Sequence, residues 1–231
     1  MVQSALTTHQ IEADHRDLRD RLGELLPDCR VETIRDLVVL ARFSRVSAGE
    51  QIRRQGEPVP MTLIVGGFAI SCRTTDQGQM FCGGIVPQGI LFGYSGIGSV
   101  LSSLGFVALT DCVVAEWHGS EIRQLVKADV ALGFAAIDSM ATALHEVWES
   151  VDGFLHQEAR RRVLRILARH RDLFFGEGAV LTRAHLAGLV GTSQEMTRRV
   201  LRQLEREGAI AREGRSGLRL LRPDLLESPA A

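Results

Sequence analysis

Apolar residues recur at helical spacing in the first forty positions of the chain. The first such pattern stops at Pro27 and is carried by Leu18, Leu22, Leu25 and Leu26. A second, shorter pattern predicts a helix from about Val31 to Arg42, with Ile34, Leu37, Val38 and Ala41 on one face. We therefore expect two N-terminal helices.

Between Gly49 and Gly105 the pattern changes to short apolar stretches separated by glycines. This quarter of the chain holds 12 of the 23 glycines. The stretches are Thr62–Val65, Phe68–Cys72, Met80–Val86, Ile90–Phe92 and Phe106–Trp117. Short strands punctuated by glycine indicate an antiparallel sandwich or a barrel-like roll, here over about 44–118.

A heptad pattern follows a short helix that Ser120 is placed to cap. Seven apolar residues form its a and d positions, namely Val130, Phe134, Ile137, Ala141, Leu144, Trp148 and Val151. The pattern predicts a long helix that pairs with a second copy of the chain. The alternative is a single amphipathic helix packed on its own β-domain. Gly153 ends the pattern and suggests a hinge near 152–156.

The segment from Leu181 to Gly208 carries a helix-turn-helix pattern. Thr182 is placed to cap a helix over Arg183 to Val190, and Gly191 falls at the tight turn. Ser193 is placed to cap a second helix, whose inward stripe is Val200, Leu201 and Leu204. Two short stretches, Ala209–Arg212 and Leu218–Leu221, flank E-G-R-S-G at 213–217 and predict a hairpin. This hairpin would make the motif a winged helix-turn-helix.

The outward face of the second helix carries side chains suited to DNA. Arginine matches guanine O6 and N7, and a carboxylate accepts from cytosine N4. Five side chains can point outward together, namely Gln194, Glu195, Arg198, Arg199 and Arg202, and Glu195 and Arg199 can reach the same groove floor. The alternative for Glu195 and Arg199 is an ordinary surface pair one helical turn apart.

Charge divides the chain where the patterns do. The net charge of −1 hides a net −7 over 1–154 and a net +6 over 155–231. An anionic partner is therefore expected for the C-terminal part only. No apolar run approaches the roughly 18–20 residues that cross a bilayer, and the N-terminus lacks the features of a signal peptide. We expect a cytoplasmic protein without a membrane partner.

Residues 18–226 resemble the cyclic-AMP receptor protein/fumarate-nitrate regulator (Crp/Fnr) superfamily of bacterial transcription regulators in these patterns and in several short sequence motifs. The matching stretches are S-A-G-E-Q-I-R-R-Q-G-E from Ser47, L-I-V-G-G-F-A-I from Leu63, I-L-F-G from Ile90, A-L-T-D-C from Ala108 and G-T-S-Q-E-M-T-R-R from Gly191. The last resembles the family's G-x-S-R-E-T-V-x-R, with Gln194 in place of the frequent arginine. By this resemblance we predict base contacts from Gln194, Glu195 and Arg199, and phosphate contacts from Thr192, Ser193, Arg198, Arg202 and Arg215.

The resemblance implies an α+β fold in three parts. These are N-terminal helices and an antiparallel β-roll sensor over 1–118, a short helix and a long dimerisation helix over 119–154, and a winged helix-turn-helix domain over 155–231. It implies a homodimer on a pseudo-palindromic double-stranded DNA operator, and RNA polymerase as a further partner.

The sequence departs from the cyclic-nucleotide-binding members at two positions. Those members follow F-G with a glutamate and place Arg-Ser before the last strands, whereas Tyr94 and Ser102–Ser103 stand there in this chain. Burying a phosphodiester without a cation is costly, so we expect no useful affinity for cyclic AMP. We expect a small, mostly uncharged effector in a pocket drawn from Phe92, Tyr94, Ser102, Ser103, Phe134, Ile137, Ala141, Leu144 and His145. A degenerate sensor on a constitutive regulator is the alternative.

Metal cofactors and enzyme activity are not expected. The four cysteines are spaced as free thiols rather than as ligands, and Cys29 alone lies in the region where oxygen-sensing members carry an iron–sulfur cysteine cluster. Haem is a weaker alternative, for which His118, His145 and Cys72 are the conceivable axial ligands. The glycine-rich I-L-F-G-Y-S-G-I-G lacks the context of a phosphate-binding loop, so we expect no enzyme.

Overall fold

The computed structural model describes residues 8–75, 80–176, 178–214 and 217–227. Its helices are α1 (Thr8–Leu25), α2 (Val31–Leu40), α3 (Gly119–Ala128), α4 (Val130–His156), α5 (Ala159–Arg169), α6 (Arg171–Phe174), α7 (Arg183–Val190), α8 (Gln194–Arg206) and α9 (Asp224–Glu227). A 3-10 turn occupies Tyr94–Gly98.

Within the described residues, ten strands form two four-stranded sheets and one hairpin, all antiparallel. They are β1 (Arg42–Val46), β2 (Gln51–Arg53), β3 (Met61–Gly66), β4 (Phe68–Thr74), β5 (Met80–Pro87), β6 (Leu91–Phe92), β7 (Gly105–Ala108), β8 (Cys112–Trp117), β9 (Ile210–Glu213) and β10 (Gly217–Leu220). The sheet orders are β1-β8-β3-β6 and β2-β7-β4-β5, and β9 pairs with β10 as the wing. The predicted α+β fold is confirmed.

Two boundaries differ from the sequence expectation. The second helix ends at Leu40, and Arg42 already begins β1, which pairs with β8. The short helix before α4 follows His118 rather than Ser120, and the Glu121 carboxylate accepts a 2.9 Å hydrogen bond from the His118 N–H. A glutamate that reaches back to the first residue of its helix is a local capping signal.

The N-terminal helices pack against the sheet that contains β3 and β8. Leu18, Leu22 and Leu37 are fully buried with Trp117, whose indole N–H donates a 2.6 Å hydrogen bond to the Leu37 carbonyl. The start of α4 contributes Leu132 and Ala136 to the same core. One core therefore joins α1, α2, the roll and the first turns of α4.

Gly153 does not end α4, which continues to His156. An ideal Cβ on Gly153 would lie 2.7 Å from Nη2 of Arg165. That guanidinium group is the far end of a flexible side chain, so it can move aside and the contact does not by itself require a glycine. The predicted hinge at 152–156 is still helical. The chain leaves helical geometry one residue later, at Gln157.

The winged domain shares its core with the β-roll. Leu167, Leu186 and Val200 lie in one buried cluster with Ile70 of β4 and Cys82 of β5. The packing is tight where α7 meets β5, since an ideal Cβ on Gly188 would lie 2.5 Å from the Cys82 sulfur. The two domains therefore pack directly on each other through apolar side chains.

Candidate nucleic-acid interface and effector groove

The helix-turn-helix forms as its sequence predicts. Thr182 Oγ1 accepts from the His185 N–H, while His185 Nδ1 accepts from the Thr182 N–H at 3.2 Å, so the two residues cap α7 reciprocally. Gly191 has a φ of +63°, which glycine adopts without strain. The Ser193 hydroxyl oxygen accepts from the Met196 N–H at 3.1 Å and caps α8.

The exposed face of α8 presents the predicted DNA-reading side chains. Gln194, Glu195, Arg198, Arg199 and Arg202 are all exposed, and Val200, Leu201 and Leu204 lie buried behind them. Over the described residues, no ion pair joins Glu195 to Arg199, so the surface-pair alternative is not observed.

The carboxylates at the far end of α8 are neutralised by arginines from neighbouring elements. Glu205 accepts from Arg212 of the wing at 2.7 Å, and Glu207 accepts from Arg160 of α5 at 2.8 Å. The bond from Arg160 lowers the pKa of Glu207. The acidic charge at the C-terminal end of α8 is therefore paired, whereas Arg198, Arg199 and Arg202 are exposed nearer its start.

A groove of about 410 Å³ runs between the start of α7 and the exposed side of α8. Arg198 and Arg202 line it, and so do Arg183 and Arg212, which the sequence analysis did not single out. Neither residue lies on α8, so the sequence indicated them only through the net positive charge of the C-terminal domain. Four guanidinium groups around one groove suit a phosphate backbone.

Two of the remaining predicted phosphate contacts lie at the turn before α8. Thr192 is half-buried, and Ser193 is exposed but already serves as the cap of α8. Arg215 lies outside the described residues.

Arg162 connects the end of α4 to the helix-turn-helix. Its Nη1 donates to the carbonyls of Phe154 at 3.2 Å and Gln157 at 2.9 Å, and its Nε donates to the Val190 carbonyl at 3.1 Å. The guanidinium group also lies 5.6 Å from the centre of the Phe154 ring. Burial lowers the pKa of Arg162. The run of arginines on α5 is therefore more than a solvated surface.

The Phe154 ring also packs on the turn of the helix-turn-helix. An ideal Cβ on Gly191 would lie 2.5 Å from Cε1 of that ring. On its other side, Phe154 meets Phe81 of β5 edge-on at 6.0 Å between ring centres. The roll, the long helix and the turn before α8 thus meet at one aromatic side chain.

A second groove, of about 850 Å³, lies between the β-roll and α4. Its apolar lining includes Phe92, Tyr94 and Phe134, as the sequence predicts, and burial raises the pKa of Tyr94. Its polar lining, which no sequence pattern indicated, comes from Asp28, Ser71, Asp138, Ser139, Thr142 and Glu146. No lysine or arginine occurs among the described residues that line it.

Six of the predicted pocket residues lie outside this groove. The backbone of Ser102 pairs with Gly56 and Glu57, its hydroxyl donates to the Leu104 carbonyl, and Ser103 is exposed. Ile137, Ala141, Leu144 and His145 are exposed on α4 but do not line the groove. Ile137, Ala141 and Leu144 belong to the heptad stripe, of which only Phe134 also reaches the groove among the described residues that line it.

The haem-ligand candidates lie on three separate elements. His118 precedes α3, His145 is exposed on α4, and the Cys72 sulfur is 3.2 Å from the Cys82 sulfur across β4 and β5. Within the described ranges, no group of three or more histidine, cysteine, aspartate or glutamate residues is placed to hold a metal ion.

The heptad stripe of α4 is uncovered in the single chain. Val130, Phe134 and Trp148 each expose more than 60% of their surface, and Ile137 and Leu144 more than half. Ala141 is also exposed, and Val151 is half-buried.

By length and composition alone, α4 is apolar enough to cross a membrane, which the count of consecutive apolar residues did not indicate. An apolar stripe broken by Asp138, Glu146 and Glu149 suits a protein partner better than lipid.

Comparison with known proteins agrees with this architecture. A model of the Crp-like helix-turn-helix domain matches residues 161–228. The cAMP-activated global transcriptional regulator Vfr of Pseudomonas aeruginosa is 28% identical over 167 residues, which cover 66% of this chain and 77% of Vfr.

Two solved structures have the same fold. The c-di-GMP-responsive global regulator CLP of Xanthomonas campestris superimposes with a TM-score of 0.69 at 21% identity, over 83% of this chain and 99% of CLP. FixK2 of Bradyrhizobium japonicum gives 0.66 at 21% identity, over 81% of this chain and 96% of FixK2. Residues 161–228 thus match a Crp-like helix-turn-helix domain, and the chain has the fold of the solved structures of CLP and FixK2.

Proposed function

We propose that this protein is a DNA-binding transcription regulator of the Crp/Fnr type, and that it acts as a homodimer that binds a pseudo-palindromic operator through the first turns of α8. The observation that supports this most is the set of exposed arginines on α8, beside the basic groove between α7 and α8. In this proposal Gln194, Glu195 and Arg199 read bases, and Arg198 and Arg202 hold phosphates. RNA polymerase is a further partner that follows from the class of regulator.

The uncovered stripe of α4 supports the dimer. Large apolar side chains at a and d positions over three heptads form a seam that a second copy of the same helix would bury. Two-fold symmetry then places the two α8 helices on half-sites about one helical turn apart.

A selection from random double-stranded DNA with the full chain tests this proposal. We expect an inverted repeat with a G·C-containing half-site, bound by a dimer in sedimentation. Leu144→Glu should give a monomer that has lost the repeat, whereas Thr142→Glu puts the same charge on the same helix outside the seam and should stay dimeric. A wild-type monomer, or recovery of unrelated single sites, would contradict the proposal.

We further propose that the groove between the β-roll and α4 takes a small uncharged or cationic effector. Vfr is cAMP-activated and CLP is c-di-GMP-responsive by name, and both ligands are phosphodiesters. In this chain the described lining supplies carboxylates and hydroxyls but no guanidinium or ammonium group. An anionic phosphodiester would be desolvated there without a counter-charge.

Titration calorimetry with cyclic AMP and with c-di-GMP tests the charge argument, and we expect no heat of binding at micromolar ligand for either. For the effector itself, protein purified from its own host can be compared with unfolded and refolded protein by native mass spectrometry and gel shift. A bound mass together with a change in operator affinity supports gating. Full operator affinity in both samples, with no bound mass, would support the constitutive alternative.

We propose neither an iron–sulfur cluster nor haem as a cofactor of this protein. Burial and the charges of Asp129 and Asp28 raise the pKa of the Cys29 thiol to about 11. Cys29 is the single cysteine of the N-terminal region, whereas an iron–sulfur cluster needs several thiolate ligands. His118 and His145 offer no shared site for a haem iron with Cys72. Absorption spectra and metal analysis of the host-purified protein should show neither a Soret band nor iron.

A further inference from the structure

Cys72 and Cys82 face each other across the β4–β5 hairpin. They are direct cross-strand partners, because an irregularity at Gly83 shifts the register so that Ser71 pairs with Gly84 and Cys72 with Cys82. Their sulfur atoms are 3.2 Å apart. Residues directly opposite in an antiparallel pair have Cα atoms about 4.5–5.5 Å apart, and disulfides bridge Cα separations of about 4.4–6.8 Å. The backbone spacing therefore already suits a disulfide.

The two thiols have different environments. Cys72 is half-buried, whereas Cys82 is buried under α7. A hydrogen bond with Cys82 lowers the pKa of Cys72, while the same bond and burial raise the pKa of Cys82. Cys72 is thus the thiol that a small oxidant can reach and that holds thiolate more readily.

The other cysteines do not share this arrangement. The Cys112 sulfur lies 3.3 Å from the carbonyl oxygens of Phe68 and of Thr110, to which its S–H is directed. Cys29 carries the raised pKa described above. They provide an internal control for a reaction at the hairpin.

We propose that Cys72 and Cys82 form a redox pair that a peroxide converts into an intramolecular disulfide. The Cys72 thiolate attacks one peroxide oxygen, the O–O bond breaks, and a sulfenic acid forms as hydroxide leaves. The Cys82 sulfur then attacks the Cys72 sulfur and displaces the hydroxyl group, and the Cys82 proton goes to that group to give water. In sum, two thiols lose two electrons and two protons, and the peroxide is reduced to two waters.

The pair lies at the contact between the sensor and the DNA-binding domain. The Cys82 sulfur is the atom that α7 meets at Gly188. Closing the sulfur–sulfur distance from 3.2 Å to the roughly 2.0 Å of a disulfide moves this atom beneath the first helix of the helix-turn-helix. The proposed site does not depend on any particular effector or operator.

Two full-length variants test the proposal. Cys29→Ser/Cys112→Ser keeps only the pair, and Cys72→Ser/Cys82→Ser keeps only the other two cysteines. Each reduced protein is treated with stoichiometric hydrogen peroxide, alkylated with N-ethylmaleimide and weighed by mass spectrometry. The first should lose two hydrogens, take up no alkyl group and regain both thiols with dithiothreitol. The second should be alkylated at both cysteines.

Two free thiols in the pair-only variant after peroxide would overturn the proposal. A sulfinic acid on Cys72 without a crosslink, or a disulfide between chains on a non-reducing gel, would overturn it as well. If the Ser variants fold poorly, peptide mapping of the oxidised wild-type chain gives the same answer. A disulfide-linked peptide pair containing Cys72 and Cys82 supports the proposal, and its absence contradicts it.

Discussion

The Thr33 hydroxyl donates a 2.6 Å hydrogen bond to the carboxylate of Asp129, which lies 96 residues further along the chain. The same carboxylate accepts from the Arg30 N–H at 2.9 Å and caps α4 through the Ala131 N–H at 3.2 Å. The Asp129 side chain is only 6% exposed. One buried carboxylate therefore ties α2 to the first turn of the long helix.

Asp129→Ala should destabilise the protein by about 2–3 kcal/mol, because it leaves buried donors from Thr33 and the backbone without their charged acceptor. Urea unfolding followed by circular dichroism measures the change. Asp152→Ala is the matched control, since it removes a carboxylate from an exposed position on the same helix. Equal unfolding midpoints for the two variants would contradict the role assigned to Asp129.

Acid should weaken the contact between α3 and β1. Arg42 donates to both carboxylate oxygens of Glu121, at 2.6 and 2.8 Å, and these bonds lower the pKa of Glu121 to about 2. The unfolded carboxyl titrates near its ordinary pKa of about 4.3. Because the folded pKa is the lower one, this contribution to stability is present above about pH 4.3 and is lost as the pH falls towards about 2.

Unfolding midpoints between pH 6 and pH 2.5 test this expectation in the wild type and in Glu121→Gln. The variant should be less stable near neutral pH and should lose less stability on acidification. Asp129 and Glu207, whose pKa values are also lowered by their hydrogen bonds, remain in both proteins and contribute to the acid dependence that Glu121→Gln retains. Parallel pH curves for the two proteins would refute the assignment.

Substitutions on α8 should separate base reading from phosphate contact. Arg199→Ala should cost about 1–3 kcal/mol on the selected operator and little on unrelated DNA. Arg202→Ala should weaken binding to all sequences alike and reduce the slope of log affinity against log salt by about 1. Gel shifts on both DNAs at several salt concentrations distinguish the two. Identical behaviour of the variants would count against these roles.

Gly188→Ala should loosen the packing of the winged domain on the roll. The added methyl group would lie 2.5 Å from the Cys82 sulfur and 3.4 Å from the Met80 carbonyl oxygen, so we expect a loss of about 1–3 kcal/mol in unfolding free energy. Gly23→Ala, in a helix where the methyl group meets open space, should be neutral or slightly stabilising.

Cys82→Ala in the Gly188→Ala background removes the atom in conflict and should recover part of the lost stability. A double variant as unstable as the sum of the two single changes would show that the contact is not the cause.

The helix-turn-helix was predictable residue by residue because its determinants are local. Thr182, Gly191 and Ser193 each act within a few residues of their own position, and the buried stripe of α8 follows helical spacing. The antiparallel roll was also predictable, since glycines divide its strands.

The sequence did not indicate which residues, distant along the chain, contact one another in the fold. Gly153 had a local explanation as a helix end, but its actual neighbour is Arg165 on the next helix. Ser102 was placed in the pocket by resemblance, whereas its hydrogen bonds hold it in the loop before β7. The polar lining of the groove comes from the α1–α2 connection, the β4 strand and α4, and no local pattern joins such distant segments.

The core shared by the winged domain and the roll makes any reorientation of the winged domain an all-or-none event. Rotating that domain away from Ile70 and Cys82 exposes apolar surface at a cost of roughly 25 cal/mol for each Å². In an intermediate orientation of the winged domain, much of this apolar surface is already exposed and no new contact replaces the lost one. Two discrete orientations are therefore favoured over a continuous range. A ligand shifts the balance between two such orientations only by its difference in affinity for them, so one that binds both equally leaves the balance unchanged however tightly it binds.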